Sequence, residues 1–216
     1  MSGLYVYALT RGPLEPFDFQ GRRVECLDVA GLSAVVERVV ERPKVSEASL
    51  REQHDVLMRL SAALDALLPA RFGAFVDEAE LAQLLDARRG VIQQALDLVS
   101  GRVQMTVRLR EDTVAPGRPV ATPAAVVSGT AYLEGRRAAA ARPLPSAAAA
   151  VSAAVAHLVV AERSDRSQGR NAASLYHLVA RGDVRRYTAA LSSLESPDLT
   201  VSGPWPPFAF APDLWS

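Results

Sequence analysis

The side chains able to do acid, base or metal chemistry are few in this sequence. It contains three histidines and one cysteine among its 216 residues. Glu52 and His54 are two positions apart on a predicted helix, so their side chains diverge and cannot share a metal ion or a proton. Cys26 follows Arg22 and Arg23, but the strand pattern points it inward, as a small hydrophobic residue. The sequence therefore contains no spacing that a catalytic mechanism requires.

The histidine pair His157 and His177 provides the one alternative. Both residues fall in segments predicted as strands, and neighbouring strand histidines can bind a metal ion. The sequence offers no third ligand, so histidines of the core or of a sheet edge with backbone partners are the favoured interpretation. An enzyme or sensor that binds a metal or a small ligand at this pair stays open as the less favoured alternative. The glycines are too isolated for a phosphate loop, so we expect no nucleotide cofactor.

Charge and hydropathy narrow the class of protein further. Lysine plus arginine and aspartate plus glutamate both number 24, so no net field attracts nucleic acid or an anionic membrane. The N-terminus lacks the basic region of a signal peptide. The alanine-rich segment 146–161 is too short for a membrane span and predicts a helix outside the bilayer. The single cysteine fits a reducing cytoplasm.

The first half of the chain predicts the order βββαβα. An apolar strand covers residues 4–9, and a hairpin turns at Gly31. A helix begins at Ser46, where Ser49 and Glu52 have the spacing of a capping box. A strand over residues 67–76 is interrupted by Pro69, which is typical of an edge strand or of a bulged one. Asp77 and Glu80 then open a helix that runs to Gly101, with Gly90 as a possible break.

The second half predicts the order βαββαβ. Residues 103–110 alternate in polarity, which predicts a strand with one wet face, and a helix over 147–158 follows. Two strands, a helix after Asp183 and a last strand from Leu199 complete the order. This order is typical of a ferredoxin-like module, an antiparallel sheet with helices on one face, and the first half resembles a rearranged relative. We predict an α+β protein with domains 1–101 and 102–216.

Two segments stand out. The first contains Pro69, Arg71, Phe72 and Gly73, in which phenylalanine can fill a core and arginine offers a rigid donor fork. It is either a partner-binding element or a kinked strand held by an internal arginine pair. The second is a C-terminal strap rich in proline and aromatic residues: Gly203, Pro204, Trp205, Pro206, Pro207, Phe208 and Phe210. Its prolines predict an extended edge.

The aromatic residues of this strap have two possible roles. Rigid aromatic side chains lose little entropy on contact, so they can anchor a partner protein. They can equally cover the core of their own domain, which is the favoured role for Trp205.

The strap and the segment 69–73 resemble two motifs of the gas vesicle protein F/L family (GvpF/GvpL). The opening sequence Gly-Leu-Tyr-Val-Tyr at residues 3–7 is similar too, and the three segments occur in the family's order. Residues 208–210 read Phe-Ala-Phe where the family usually has Tyr-Ser-Phe, so two hydroxyl groups are missing here.

The resemblance implies a cytoplasmic protein without enzymatic activity or cofactor that takes part in forming gas vesicles. Its implied partners are the small hydrophobic shell protein and other accessory vesicle proteins, which it would keep soluble or help to nucleate. It implies no nucleic acid, membrane or small-molecule substrate. A minor structural component of the vesicle shell is an alternative that differs in location and not in chemistry.

Overall fold

The structure is a computed structural model that describes residues 3–12, 14–29, 31–110, 146–166, 172–194 and 199–215. The chain forms two compact units. The first consists of Met1–Gln104 with Pro204–Ser216, and the second of Met105–Gly203. Most of the C-terminal strap thus belongs to the first unit, whereas the sequence placed it at the end of the second domain. That the segments 1–101 and 102–216 are separate folding domains stays a prediction.

The first unit contains a six-stranded sheet. Its strands are β1 (Gly3–Thr10), β2 (Phe17–Phe19), β3 (Arg22–Val29), β4 (Leu32–Val39), β5 (Leu67–Pro69) and β6 (Phe75–Val76). The order is β2-β3-β4-β1-β5, and β6 pairs with β1 alongside β5. Strand β1 is buried along its whole length because it has neighbours on both sides. The predicted edge strand over 67–76 is therefore present as two short pieces, β5 and β6.

The hairpin between β3 and β4 is confirmed. Val29 lies opposite Leu32, which leaves a two-residue connection, and Gly31 has φ +75°. A glycine takes this left-handed conformation without steric cost. Cys26 is half-buried on β3, less than the sequence predicted, whereas Val24 on the same strand is fully buried.

Three helices complete the first unit: α1 (Glu47–Ala63), α2 (Glu78–Ala87) and α3 (Arg89–Val99). The capping box of α1 joins Ser46 to Ser49, so the predicted box of Ser49 with Glu52 was placed one turn too late. At α2 a capping box joins Asp77 to Glu80, the two residues at which the sequence predicted that this helix begins. The single helix predicted after it is two helices, which meet at Arg88.

In the second unit, the elements within the described residues follow the predicted order. Its elements are β7 (Arg102–Arg110), α4 (Ser146–Val155), β8 (Val159–Arg166), β9 (Ala172–Ala180), a 3-10 turn (Arg181–Asp183), α5 (Val184–Ser192) and β10 (Leu199–Trp205). The sheet order β10-β7-β9-β8 places the fourth strand beside the first and the third beside the second. This is a ferredoxin-like arrangement, so the predicted α+β class is confirmed.

One apolar layer fills the second unit. Buried residues of β7, β9, α4 and α5 form a single cluster, so both helices cover the same face of the sheet. Its members are Met105, Val107, Leu109, Ala148, Val151, Val155, Leu158, Leu175, Val179, Tyr187 and Leu191. The other face of β7 was predicted to be exposed to solvent. At the beginning of the strand it is not, because Gln104 and Thr106 are buried. The amide oxygen of Gln104 accepts a hydrogen bond from the backbone N–H of Ala209, 2.8 Å away.

Candidate functional site

The segment 70–73 is a turn that leaves the edge of the first sheet between β5 and β6. Ala70 donates its N–H to the Tyr7 carbonyl over 2.8 Å, and Val6 donates to the Ala74 carbonyl over 2.9 Å. The backbone therefore follows β1 up to Ala70 and rejoins it at Ala74. Pro69 is buried as the last residue of β5. Between these two contacts, Arg71 is exposed, Phe72 is half-buried and Gly73 is buried.

Two buried polar side chains lie beneath this turn. The Tyr5 hydroxyl donates to Oε1 of Gln53 over 2.5 Å, and it accepts from the Gly73 N–H at 3.4 Å. Gln53 donates from Nε2 to the Ala70 carbonyl over 3.1 Å. Burial raises the pKa of Tyr5, while the hydrogen bond from Gly73 lowers it, and the net shift is upward. Tyr5 therefore stays protonated and can act as the donor that fixes the turn.

Arg71 and Phe72 differ in their surroundings. The Phe72 ring packs edge-on to the Tyr5 ring, with centroids 6.1 Å apart, and is half-buried. Arg71 forms an ion pair of 3.1 Å with Asp213, and both side chains are largely exposed. Arg71 therefore has an ion-pair partner in its own chain, and this pair lies at the surface.

The strap begins as the end of β10 and then changes conformation. Gly203 and Pro204 are exposed on β10, an edge strand as predicted, whereas Phe208–Phe210 forms a 3-10 turn in place of an extended chain. The proline pair 206–207 between them is buried. Its carbonyls accept the N–H groups of Phe208, at 2.8 Å, and Phe210, at 3.0 Å. The two prolines thus anchor the turn.

The three aromatic residues of the strap have different exposures. Phe210 is buried, with 3% of its surface exposed, whereas Phe208 is 42% exposed. Trp205 is half-buried, and its ring lies 5.7 Å from the ring of His54 on α1, tilted by 57°. Trp205 and Phe210 therefore pack internally, and Phe208 is the aromatic residue available to a partner.

The two segments that the sequence singled out meet in one groove of the first unit. The groove has a volume of about 340 Å³. One wall is a stripe of α1, the second is the turn after β5, and the third is Phe208. The residues that line the groove are Leu50, Gln53, His54, Leu57, Ala70, Arg71, Phe72 and Phe208. The α1 stripe was not identified as part of a site from the sequence. Its spacing of three and four residues is that of any helix face, so no sequence signal distinguished it.

The groove has an apolar floor and a mixed rim. Leu57 and Ala70 are buried at its base, while Leu50 is 45% exposed at its edge. His54 and Arg71 supply polar groups at the rim. Apolar side chains with a few polar groups around them are typical of sites that bind a protein segment.

The histidine pair is not brought together as a metal site. His157 is exposed in the turn after α4, whereas His177 on β9 is fully buried. The Nδ1 atom of His177 lies 2.6 Å from the Tyr187 hydroxyl and Nε2 lies 3.0 Å from the Glu162 carboxylate. Both ring nitrogens are therefore engaged by side chains, where the sequence predicted backbone partners. In the described ranges, no three His, Cys, Asp or Glu side chains form a metal-binding group.

The Glu162–His177–Tyr187 cluster was missed in the sequence. Burial lowers the pKa of His177, while the Glu162 carboxylate opposes that shift. Burial also raises the pKa of Tyr187. The neutral imidazole donates from Nε2 to Glu162 and accepts from Tyr187 at Nδ1, which satisfies the polar groups of the cluster. This arrangement serves the packing of the second unit.

In the part of the chain that the structure describes, no helix is long and apolar enough to cross a membrane.

Comparison with known proteins agrees with the fold. The chain resembles the crystal structure of the gas vesicle protein GvpF from Anabaena sp. PCC7120, with a TM-score of 0.73 and 15% identity, covering 98% of this chain and 97% of that one. It also resembles GvpF from Microcystis aeruginosa, with a TM-score of 0.71 and 13% identity, covering 97% and 99%. Identities this low show a shared fold alone.

Sequence comparison identifies the family. No curated protein matches the chain by sequence. The family model described as Gas vesicle synthesis protein GvpL/GvpF, however, matches residues 3–212, nearly the whole chain. The matched range includes the opening strand, the turn after β5 and the strap up to Pro212. The chain therefore belongs to the gas vesicle GvpL/GvpF family.

Proposed function

We propose that this protein is a non-catalytic accessory protein of gas vesicle assembly. In this proposal it binds the hydrophobic shell protein and other accessory vesicle proteins, and keeps them soluble or helps to nucleate the shell. It works in the cytoplasm in association with gas vesicles. Family membership supports the process, and the groove between α1, the turn 70–73 and Phe208 supports binding as the mode of action.

The single observation that carries the proposal is the exposure of Phe208 at a groove whose other walls are fixed. Neighbouring strap residues Pro206, Pro207 and Phe210 are buried, so the backbone that carries Phe208 is anchored while 42% of the surface of Phe208 faces outward. A partner would meet a rigid aromatic anchor, which loses little entropy on binding. An apolar segment of the shell protein can fill the groove in this way.

The preorganised turn supports the same proposal. Tyr5 and Gln53 hold Ala70 and Gly73 through buried hydrogen bonds, so the groove wall needs no rearrangement to accept a ligand. A preformed surface binds more tightly because less ordering is required on association. Shell subunits with unpaired apolar strands aggregate readily. A rigid apolar groove that covers such a segment would delay aggregation.

The test is co-purification of the shell protein with variants of this chain. We expect Phe208→Ala to reduce the recovered shell protein about tenfold or more, because loss of a binding anchor costs about 2 kcal/mol. Leu50→Ala, on the opposite wall of the groove, should also reduce the amount of recovered shell protein. Val91→Ala is the matched control, because Val91 is a 49% exposed apolar residue on α3 outside the groove. Equal recovery with all three folded variants would refute the groove as the contact.

The location of the protein distinguishes the accessory role from that of a shell component. Intact vesicles washed with mild detergent should lose this chain if it acts only during assembly. Retention of the chain at a constant ratio to the shell protein would instead establish a structural component. Both outcomes are read on the same immunoblot.

A further inference from the structure

A second surface pocket of the first unit shares none of its lining residues with the groove. Its volume is about 570 Å³. Polar and apolar side chains line it together, among them Arg42, Phe75, Gln83, Leu84, Leu214 and Trp215. A concave surface of this size with a few convergent polar groups is typical of a binding site. Gly73 lines the pocket too, and it is the one lining residue that the sequence identified as part of a candidate site.

The backbone of β6 faces this pocket with hydrogen-bonding groups that the sheet does not use. Val6 of β1 donates its N–H to the carbonyl of Ala74, the residue just before β6, so these two residues occupy a hydrogen-bonded position of the ladder. Tyr5 and Phe75 are the next pair in register. Opposite residues of an antiparallel ladder alternate between hydrogen-bonded and non-hydrogen-bonded pairs. The N–H and C=O of Phe75 therefore point away from β1.

No strand covers this edge within the described residues, because the sheet order ends with β5 and β6 on this side of β1. A free N–H and C=O on one residue of an edge strand can accept one residue of an added extended chain. Phe75 also lines the pocket, so a chain bound there would place its side chains among the pocket walls.

Arg42 supplies an exposed cation beside Gly73. Its guanidinium lies flat against Gly73, where a Cβ would be only 2.9 Å from Nη2 and 3.1 Å from Nε. Among the residues that the structure describes, no carboxylate forms an ion pair with Arg42. A guanidinium with its fork free binds a carboxylate through two parallel hydrogen bonds.

Glu80 also lines the pocket, and its charge is already engaged. Its Oε2 accepts the N–H of Asp77 over 3.0 Å, as part of the capping box at the beginning of α2. A carboxylate at this end of a helix is stabilised by the helix dipole. Glu80 therefore stays at the cap, and Arg42 remains the group that can bind an external carboxylate.

We propose that this pocket binds an extended peptide segment of a partner protein that carries an acidic side chain beside an apolar one. The peptide backbone exchanges hydrogen bonds with Phe75, and its carboxylate binds the guanidinium of Arg42. The apolar side chain packs against Leu84, Leu214 and Trp215. This site is additional to the groove at Phe208 and does not depend on it. The N–H and C=O of Phe75 that point away from β1 can pair with a peptide backbone. They therefore favour a peptide chain over a small free acid as the ligand.

The probe is the peptide acetyl-Ser-Leu-Glu-Leu-Ser-amide, titrated into the full chain. Trp205→Phe leaves Trp215 as the one tryptophan of the two in the sequence, so its fluorescence reports on the pocket. We expect saturable binding together with a shift of the Phe75 amide resonance in NMR spectra. The glutamine analogue of the peptide and the variant Arg42→Gln should each weaken binding about tenfold or more, because a charge-assisted hydrogen bond is lost. The affinity of the Arg42→Lys variant for the peptide should lie between that of Arg42→Gln and that of the wild type.

Two further arms test the backbone contact and separate this site from the groove. A peptide methylated at the nitrogen that faces Phe75 should bind weakly while it keeps its carboxylate. Phe208→Ala should bind the unmodified peptide like the wild type, whatever its effect on recovery of the shell protein. Absence of saturable binding would overturn the inference, and so would equal binding of the glutamate and glutamine peptides. Unchanged affinity of the methylated peptide would overturn the backbone contact and indicate a site for free carboxylates.

Discussion

Tyr5 and Gln53 form a buried hydrogen bond of 2.5 Å that joins the central strand β1 to helix α1. Because Gln53 also donates to the Ala70 carbonyl, the pair connects both elements to the turn before β6. Each polar group in this chain of contacts is removed from water, so loss of one partner leaves another unsatisfied. The shape of the groove wall depends on this pair.

The first prediction concerns Tyr5→Phe. We expect the free energy of unfolding to fall by about 1–3 kcal/mol, because Oε1 of Gln53 loses its buried donor. Urea denaturation followed by circular dichroism measures the change. In the double variant Tyr5→Phe with Gln53→Leu, the total loss should be smaller than the sum of the two single losses. Strictly additive losses would show that the two side chains do not act together.

The second prediction concerns Gly73, which has φ +83°. Gly73→Ala should destabilise the chain by about 1–2 kcal/mol, since other residues reach this conformation only with strain. The guanidinium of Arg42 can move away from the new methyl group, so the backbone dominates the cost. Thermal unfolding gives the measurement. Gly90→Ala is the control: Gly90 lies in α3 with no atom within 4 Å of its Cβ position, and alanine should stabilise it there by about 0.5–1 kcal/mol.

The third prediction separates packing from binding in the strap. Phe210→Ala should cost about 3–5 kcal/mol in the free energy of unfolding, because the Phe210 ring is buried. Phe208→Ala should cost about 1 kcal/mol or less, because this ring is partly in solvent already. Chemical denaturation of the two variants side by side provides the comparison. A large loss for Phe208→Ala would mean that this ring serves internal packing.

The fourth prediction concerns the pH dependence caused by His177. Burial lowers the pKa of His177 in the folded chain, against the opposing effect of Glu162. The unfolded chain therefore binds a proton first as the pH falls. The stability contribution of the neutral imidazole is fully present above about pH 6.5, the ordinary pKa of histidine, and decreases as the pH falls below it.

This pH dependence is measured by urea denaturation between pH 7.5 and pH 5. The variant His177→Gln should be less stable than the wild type at pH 7.5, because the Tyr187 and Glu162 contacts change. Its stability should decrease less steeply than that of the wild type over the same interval. Parallel curves for the two proteins would assign the pH dependence to other groups.

Local patterns predicted the elements that depend on neighbouring residues. The hairpin at Gly31 and the beginning of α2 at Asp77 and Glu80 are both present, because each is defined by contacts within four residues. The order of strands and helices in the second unit follows from apolar periodicity in the same way. The predictions that failed concerned positions where the observed contacts differ from those that the local pattern suggested. The N-cap of α1 is Ser46, with Ser49 as its partner, and not Ser49 with Glu52. Gln104 is buried, and its side chain accepts a hydrogen bond from the distant Ala209 N–H.

The sequence by itself determined the family and the secondary structure, through motif residues and through periodicities that act over a few positions. Only the tertiary structure decided that the turn 70–73 and the strap around Phe208 line one groove with α1. It also decided that Arg71 pairs with Asp213, that Phe208 and not Trp205 faces outward, and that most of the strap belongs to the first unit. The physical reason is that such contacts join residues distant in the chain. They form only when a whole core packs, and no local pattern encodes which distant surfaces will meet.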